Sequence, residues 1–245
     1  MLSESKEKLN TNEVEDVNKD RFVVRLKFVK VGNLQYISHL DLQRTFNRVI
    51  KRSGIPVWYT KGFNPHMKLV FSSPLSIGSE SVCEYLDLSM QGVISCEEIM
   101  HRLNRELTDE LRIKKAYIAD RKFSDIVWAD YTLELFTEGA GNELADKIES
   151  LFAQSPLNMI KSTKSGDKEI DIIPLVKSLS ATFDEGKGTV VVKARLSATQ
   201  TNFLNPEMLV TAMKQRLGII SGDPSIEWYR ILREDLLDGN EKHFQ

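Results

Sequence analysis

Arg21-Phe-Val-Val-Arg-Leu-Lys-Phe-Val-Lys30, followed by Ser38-His-Leu-Asp41 and the apolar positions Leu42, Phe46, Val49 and Ile50, decides the fold. The first ten residues alternate and are rich in β-branched and aromatic side chains, which predicts a strand. Val31-Gly32-Asn33 reads as a turn. Ser38 with Asp41 three residues on has the spacing of a capping box. The apolar positions behind it recur at helical spacing, and Gly54 stops the helix. A short extended piece follows at 55–59, then the loop Lys61-Gly62-Phe63-Asn64-Pro65. Strands are predicted at 67–71 and 81–88. Ser95 with Glu98 is a second capping box, opening a helix through Ile99, Leu103 and Leu107, and 111–118 is the next strand.

That order is β-α-β-β-α-β, the ferredoxin-like split unit. The rest of the chain repeats it: a strand at 126–136, a helix capped by Asn142, a strand at 157–163 and a polar turn at 164–168. An ambiguous stretch follows at 170–183, with Pro174 opening a short helical segment. Glu185-Gly-Lys-Gly188 is a turn and 189–196 a strand. Asn205-Pro206 opens the last helix, which Gly218 stops, and a last strand spans 226–232. The expected fold class is α+β, two tandem ferredoxin-like (βαββαβ) halves. The first half is 21–122 and carries the motifs; the second is 123–235. Residues 1–20 hold Glu4, Glu7, Glu13, Glu15, Asp16 and Asp20 against three lysines and no aromatic residue. They read as a disordered acidic tail, and 236–245 as a polar tail.

At 245 residues, 41% hydrophobic and 28% charged, the composition is that of an ordinary globular protein. No apolar run reaches membrane-spanning length and the N-terminus has no signal-like apolar region, so a cytoplasmic location is expected. Cys83 and Cys96 are the only cysteines. Two thiols supply neither a structural zinc site alone nor a three-cysteine iron-sulfur site, so they read as buried small hydrophobes. No metal ligand set and no cofactor is expected in this chain.

Charge is unevenly placed. Between Arg21 and Val70 the bases are Arg21, Arg25, Lys27, Lys30, Arg44, Arg48, Lys51, Arg52, Lys61 and Lys68, against the single acid Asp41, in a chain of net charge -2. A cationic face on a mildly acidic protein points to an anionic partner, RNA or a phosphate-rich ligand. Trp58, Tyr59 and Phe63 lie among these bases. That mixture suits single-stranded RNA, with rings stacking on bases and cations holding phosphates. Arg44, Arg48, Lys51, Lys61 and Lys68, with Tyr59 and Phe63, are the candidate RNA or anion contacts; a merely solvated helix face is the alternative.

Two histidines, His39 and His66, fall beside turns. If their segments meet at one end of the sheet, the pair could do acid–base work on RNA. Alternatively His39 packs in the first helical turn and His66 bonds a loop carbonyl. Asp41 either orients His39 or only caps the helix. Gly62, Asn64 and Pro65 make a rigid turn, and Gly78 punctuates the next loop. Glu84 is expected to pair with a nearby base such as Lys68. No phosphate-binding loop, dinucleotide fingerprint, HExxH or nucleophile elbow is present.

Ile37-Ser-His-Leu-Asp-Leu-Gln-Arg44, Tyr59-Thr-Lys-Gly-Phe-Asn-Pro-His66 and Ser73-Pro-Leu-Ser-Ile-Gly-Ser-Glu-Ser-Val-Cys-Glu-Tyr85 together resemble the radical-SAM-linked family DUF2344. Weaker similarity runs to about Arg230. Met67 departs from it, standing where the family would have proline after Asn-Pro-His. The resemblance implies context: relatives are fused behind, or encoded beside, a B12-binding radical SAM enzyme, often in RNA-related neighbourhoods. It implies an accessory protein that binds or presents an RNA substrate to a radical SAM partner, which itself would carry the iron-sulfur cluster, SAM and B12. The alternatives are an RNA-processing or RNA-modifying enzyme using His39 and His66, and a structural partner subunit without nucleic-acid contact.

Overall fold

The alternation in the opening stretch does place Val24, Leu26 and Phe28 in a core as strand β1 (Arg21–Lys30). This is a computed structural model that describes residues 21–163 and 166–245. The expected acidic tail at 1–20 and part of the turn at 164–168 lie outside the described residues.

After β1 come α1 (His39–Ser53), β2 (Leu69–Phe71), β3 (Ser79–Gln91), α2 (Cys96–Asn104) and β4 (Ile113–Ile118). Then follow β5 (Ile126–Phe136), α3 (Asn142–Phe152), β6 (Asn158–Thr163), β7 (Gly166–Asp171), β8 (Val176–Asp184), β9 (Thr189–Ser197), α4 (Glu207–Leu217) and β10 (Trp228–Asp238). The fold is mixed, with a large, mostly antiparallel sheet and few helices. The sheet has eight strands in the order β4-β1-β3-β10-β5-β9-β8, with β2 also on β3. Strands β6 and β7 form a separate hairpin. At 13 residues β3 is long enough to share one edge. Its start pairs in parallel with β10 (Ser79–Ser81 against Ile231–Arg233), and Leu86–Leu88 pair with β2.

Local chemistry sets the helix ends. Ser38 and Ser95 accept the backbone N–H of Asp41 and Glu98, each at 3.1 Å, as the capping boxes require. Gly54 ends α1 at φ 64, where a Cβ would be strained. Two expected caps differ. Gly141, not Asn142, precedes α3, and Asn142 is its first residue. Asn205 accepts the N–H of Glu207, but Pro206 holds the cap position of α4.

Leu42, Phe46, Val49 and Ile50 of α1 pack with Ile99 and Leu103 of α2 on Leu26, Phe28, Leu86 and Leu88. A second core joins α3 and α4 to β5, β9 and β10. Directly opposed residues in a sheet share a face. Leu133 opposes Ile231, Ile231 opposes Ser79, and Arg233 and Lys30 both oppose Ser81. The four α-helices among the described residues therefore cover one face.

The register of β3 against β1 slips by one residue between Phe28–Glu84 and Lys30–Ser81. An extra residue of this kind re-aims neighbouring side chains. Lys30, Glu84 and Arg233 gather beside it, all buried.

The stretch read as a polar tail is packed instead. Strand β10 runs on to Asp238, whose carboxylate accepts the N–H groups of Asn240 and Lys242 and turns the chain back. Phe244 is then fully buried on the face opposite the four described α-helices, edge-on to Tyr85 and beneath the guanidinium groups of Arg25 and Arg121. An aromatic ring has more to gain from burial than the surrounding polar residues lose.

Cys83 is buried and Cys96 half-buried. Burial pushes the Cys83 thiol up to about 12, so at neutral pH it is fully protonated. A water-soluble thiol reagent is expected to label Cys96 in the native protein and Cys83 only after unfolding. Equal labelling rates in native buffer would contradict the packing of β3 against β10.

Candidate functional site

The edge strand beside β3 is interrupted, and the interruption makes the most exposed feature of the motif region. Val57 bridges Met90 and Trp58 donates its N–H to Ser89, in line with β2 further along. Between them residues 60–66 project as a finger. Tyr59 and Met67 bridge at its base, and Thr60 donates its N–H to the His66 carbonyl at 2.9 Å. The Thr60 hydroxyl accepts the His66 N–H at 3.1 Å and lies 3.0 Å from His66 Nδ1. Gly62, at φ 135, supplies a backbone shape that other residues adopt only with strain. Asn64 and Pro65 complete the exposed turn. Phe63 stands fully exposed at the tip, Tyr59 is 40% exposed at the base, and Lys61 and Lys68 flank them in solvent. Met67 anchors the finger in the core.

The outer face of α1 carries the next bases. Arg48 and Lys51 are exposed, and neither has an acid partner among the described residues. Arg44 pairs with Asp41 at 3.2 Å and Arg52 with Glu106 at 2.7 Å, both at the surface, where such pairs contribute little. Hydrogen bonds from Ser38 and Arg44 hold the Asp41 carboxyl below its usual range. Asp41 therefore serves the helix start, and nothing joins it to the His39 ring.

Other expected contacts are not made. His39 begins α1 and lays its ring edge-on to Phe71 at 5.0 Å. His66 belongs to the finger and bonds Thr60 and the Asn64 carbonyl. No hydrogen bond among the described residues joins the two, because the helix start and the finger are held by separate partners. Glu84 does not pair with Lys68, which is exposed. It accepts from Arg233 of β10, through Nε at 3.1 Å and through Nη2, because the β3–β10 pairing brings them together inside the molecule. Gly78 donates to the Gln35 carbonyl at 3.0 Å, fixing the loop before β3 to the segment before α1.

The basic list also shortens. Arg25 is buried and bidentate to Asp87 at 2.7 and 2.8 Å; burial opposes its charge, and Asp87 more than offsets it. Lys30 is buried too, and Arg21 lies over the Trp58 ring at 4.0 Å. Sequence reasoning missed the bases at the end of α2. Arg102 and Arg105 line a groove of about 460 Å3 with Arg52, His101, Glu98 and Glu106. The signal was there in the run Arg102 to Arg105, one helical turn apart.

A family model described as an uncharacterized protein conserved in bacteria matches residues 23–206. The chain belongs to the DUF2344 family. All three motif segments fall inside the matched region. No curated protein matches the chain. Among solved structures, a candidate glycine cleavage system transcriptional repressor is 14% identical, over 87% of this chain and 98% of its own, with a TM-score of 0.21. DyPB from Rhodococcus jostii RHA1 is 12% identical, over 79% and 83%, with a TM-score of 0.20. No helix among the described residues is long and apolar enough to cross a membrane.

Proposed function

We propose that this DUF2344 protein binds single-stranded RNA through the finger and the outer face of α1, as an accessory to a radical SAM enzyme. The observation that carries the reading is Phe63, a fully exposed ring on a hydrogen-bonded finger, with exposed Lys61 on the same finger and exposed Lys68 just past its base. Exposing a large ring costs free energy, and a rigid exposed ring among cations is what base stacking requires. The RNA-processing reading has less support. His66 spends Nδ1 and its backbone on closing the finger, and His39 meets Phe71.

The radical SAM partner, with its cluster, SAM and B12, rests on the resemblance of the three motifs. In the same reading the chain is two ferredoxin-like units, 21–122 and 123–235. In each, the first strand lies between the third and the fourth and the second flanks the third, once β6–β7 is taken as an insertion.

Phe63→Ala is expected to weaken binding of a single-stranded RNA by roughly 1–3 kcal/mol, with an unchanged salt slope and unchanged melting temperature. The double change Arg48→Ala, Lys51→Ala should instead flatten the slope of log affinity against log salt by about 1.4, two contacts at about 0.7 each. Titration by fluorescence anisotropy reads both. If Phe63→Ala binds as the wild type does, the finger is not a stacking platform.

A further inference from the structure

The bulge in β3 leaves a charge without an ionic partner of its own. Five charged groups meet where β3 joins β10. Glu80 accepts from Arg230 at 2.5 Å and from the Gly32 N–H at 2.6 Å. Glu84 accepts from Arg233, which also donates to the Ser73 and Pro74 carbonyls at 3.3 and 3.1 Å. Each acid thus has its own arginine. Lys30, 2% exposed, is the fifth, and the hydrogen bond found for its Nζ is to the neutral Gln35 carbonyl at 3.1 Å. Arg230 lies half-exposed and also meets Glu134 at 3.4 Å, whereas Lys30 is a buried base without an ion pair of its own among the described residues. Burying such a charge is costly unless something completes it. Burial indeed lowers the Lys30 pKa, with Glu84 opposing that shift.

Lys30 is not sealed off. It lines a narrow cleft with His39, Leu42, Phe71, Ser73 and Glu84, beneath the start of α1. The enclosed space is about 10 Å3, room for one water-sized atom. His39 is exposed at the rim, its ring propped against Phe71. Two of the three motif segments meet here, the first through His39 and the third through Ser73 and Glu84.

We propose that this cleft is a phosphoryl site: one phosphate oxygen enters and meets Lys30, and the others stay at the mouth beside His39. A tetrahedral group suits a cleft one atom wide, because its remaining oxygens are left for an outer donor. The site gives Lys30 a direct anionic partner and leaves both glutamate–arginine pairs in place. It is separate from the finger and does not rest on the RNA reading. The phosphate belongs either to RNA or to a free ligand.

The test is a titration of the full chain with inorganic phosphate at constant ionic strength, followed by NMR on the His39 ring and the amides of 38–40. A saturable shift is expected in the wild type and in Lys193→Ala, a change at an exposed lysine of β9. Lys30→Met, which keeps the volume and removes the charge, is expected to weaken it about tenfold or more. His39→Ala, at an exposed position, should weaken it severalfold and serves if Lys30→Met does not fold. A shift that never saturates, or one that is equal in the wild type, Lys30→Met and His39→Ala, overturns the site. An RNA oligonucleotide with a 5′-phosphate, compared with its 5′-hydroxyl form, then assigns the source. Preference for the first means a terminal phosphate, and equal His39 shifts mean an internal one. No shift from either, with phosphate binding retained, means a free ligand. Loss of RNA binding alone would sink the finger and leave this site standing.

Discussion

Arg233→Ala is expected to destabilise the protein by about 3–5 kcal/mol, because it strands the Glu84 carboxylate in the interior. Arg233 is fully buried. Burial works against its charge, yet Glu84 beside it holds the guanidinium pKa above its ordinary value. The substitution also frees the Ser73 and Pro74 carbonyls, and so loosens the loop that leads into β3. For a chain of this size the loss corresponds to a fall in Tm on the order of 10 °C. The double change Arg233→Met, Glu84→Met removes both charges and should recover most of it, since an apolar pair of similar volume often replaces a buried ion pair without loss. A single Arg233→Ala that melts within a degree or two of the wild type would mean that the β3–β10 junction is open to water.

Phe244→Ala should cost a similar amount, about 3–5 kcal/mol, although it lies one residue from the end of the sequence. The ring packs on the face of the sheet opposite the four described α-helices, against Tyr85, Phe123 and the stems of Arg25 and Arg121. Its carbonyl accepts the Tyr85 hydroxyl at 2.5 Å, in a setting where burial pushes the phenol pKa up. Losing the ring leaves a cavity and exposes the Arg25–Asp87 pair to water. Chemical denaturation checks this directly. An unchanged midpoint would show that the C-terminal residues are docked without contributing to stability.

Much of this architecture was legible locally. Alternation in 21–30 and 126–136 marked strands, and two serine capping boxes marked helix starts, because those signals depend on residues within a few positions of each other. Gly54 and Gly218 stopped helices for the same reason. What was not legible depends on distant partners. Arg25 sits where a half-exposed strand would show its polar side to water, and Lys30 sits at the end of the apolar side, in line with Leu26 and Phe28. Their burial is set by Asp87, by the C-terminal segment and by a bulge in another strand. Glu84 finds its base 149 residues away, and no local spacing encodes that. Phe244 had a readable clue in Asp238-Gly239-Asn240, whose turn chemistry folds the end back. The exposed part of the candidate site was easier. Tyr59, Lys61, Phe63 and Lys68 lie on or just beside one short finger, so sequence neighbours are spatial neighbours. His39 and His66 are only 27 positions apart, but separate contacts hold them.

The most direct test of RNA binding is the affinity of the wild-type chain for a labelled single-stranded RNA, measured across salt concentrations. Arg48, Lys51, Lys61 and Lys68 are exposed and without acid partners among the described residues. Four phosphate contacts at about 0.7 each predict a slope of log affinity against log salt near −3. Binding with that slope, weakened by Phe63→Ala without changing it, is the predicted result. No affinity at low salt would contradict the proposal.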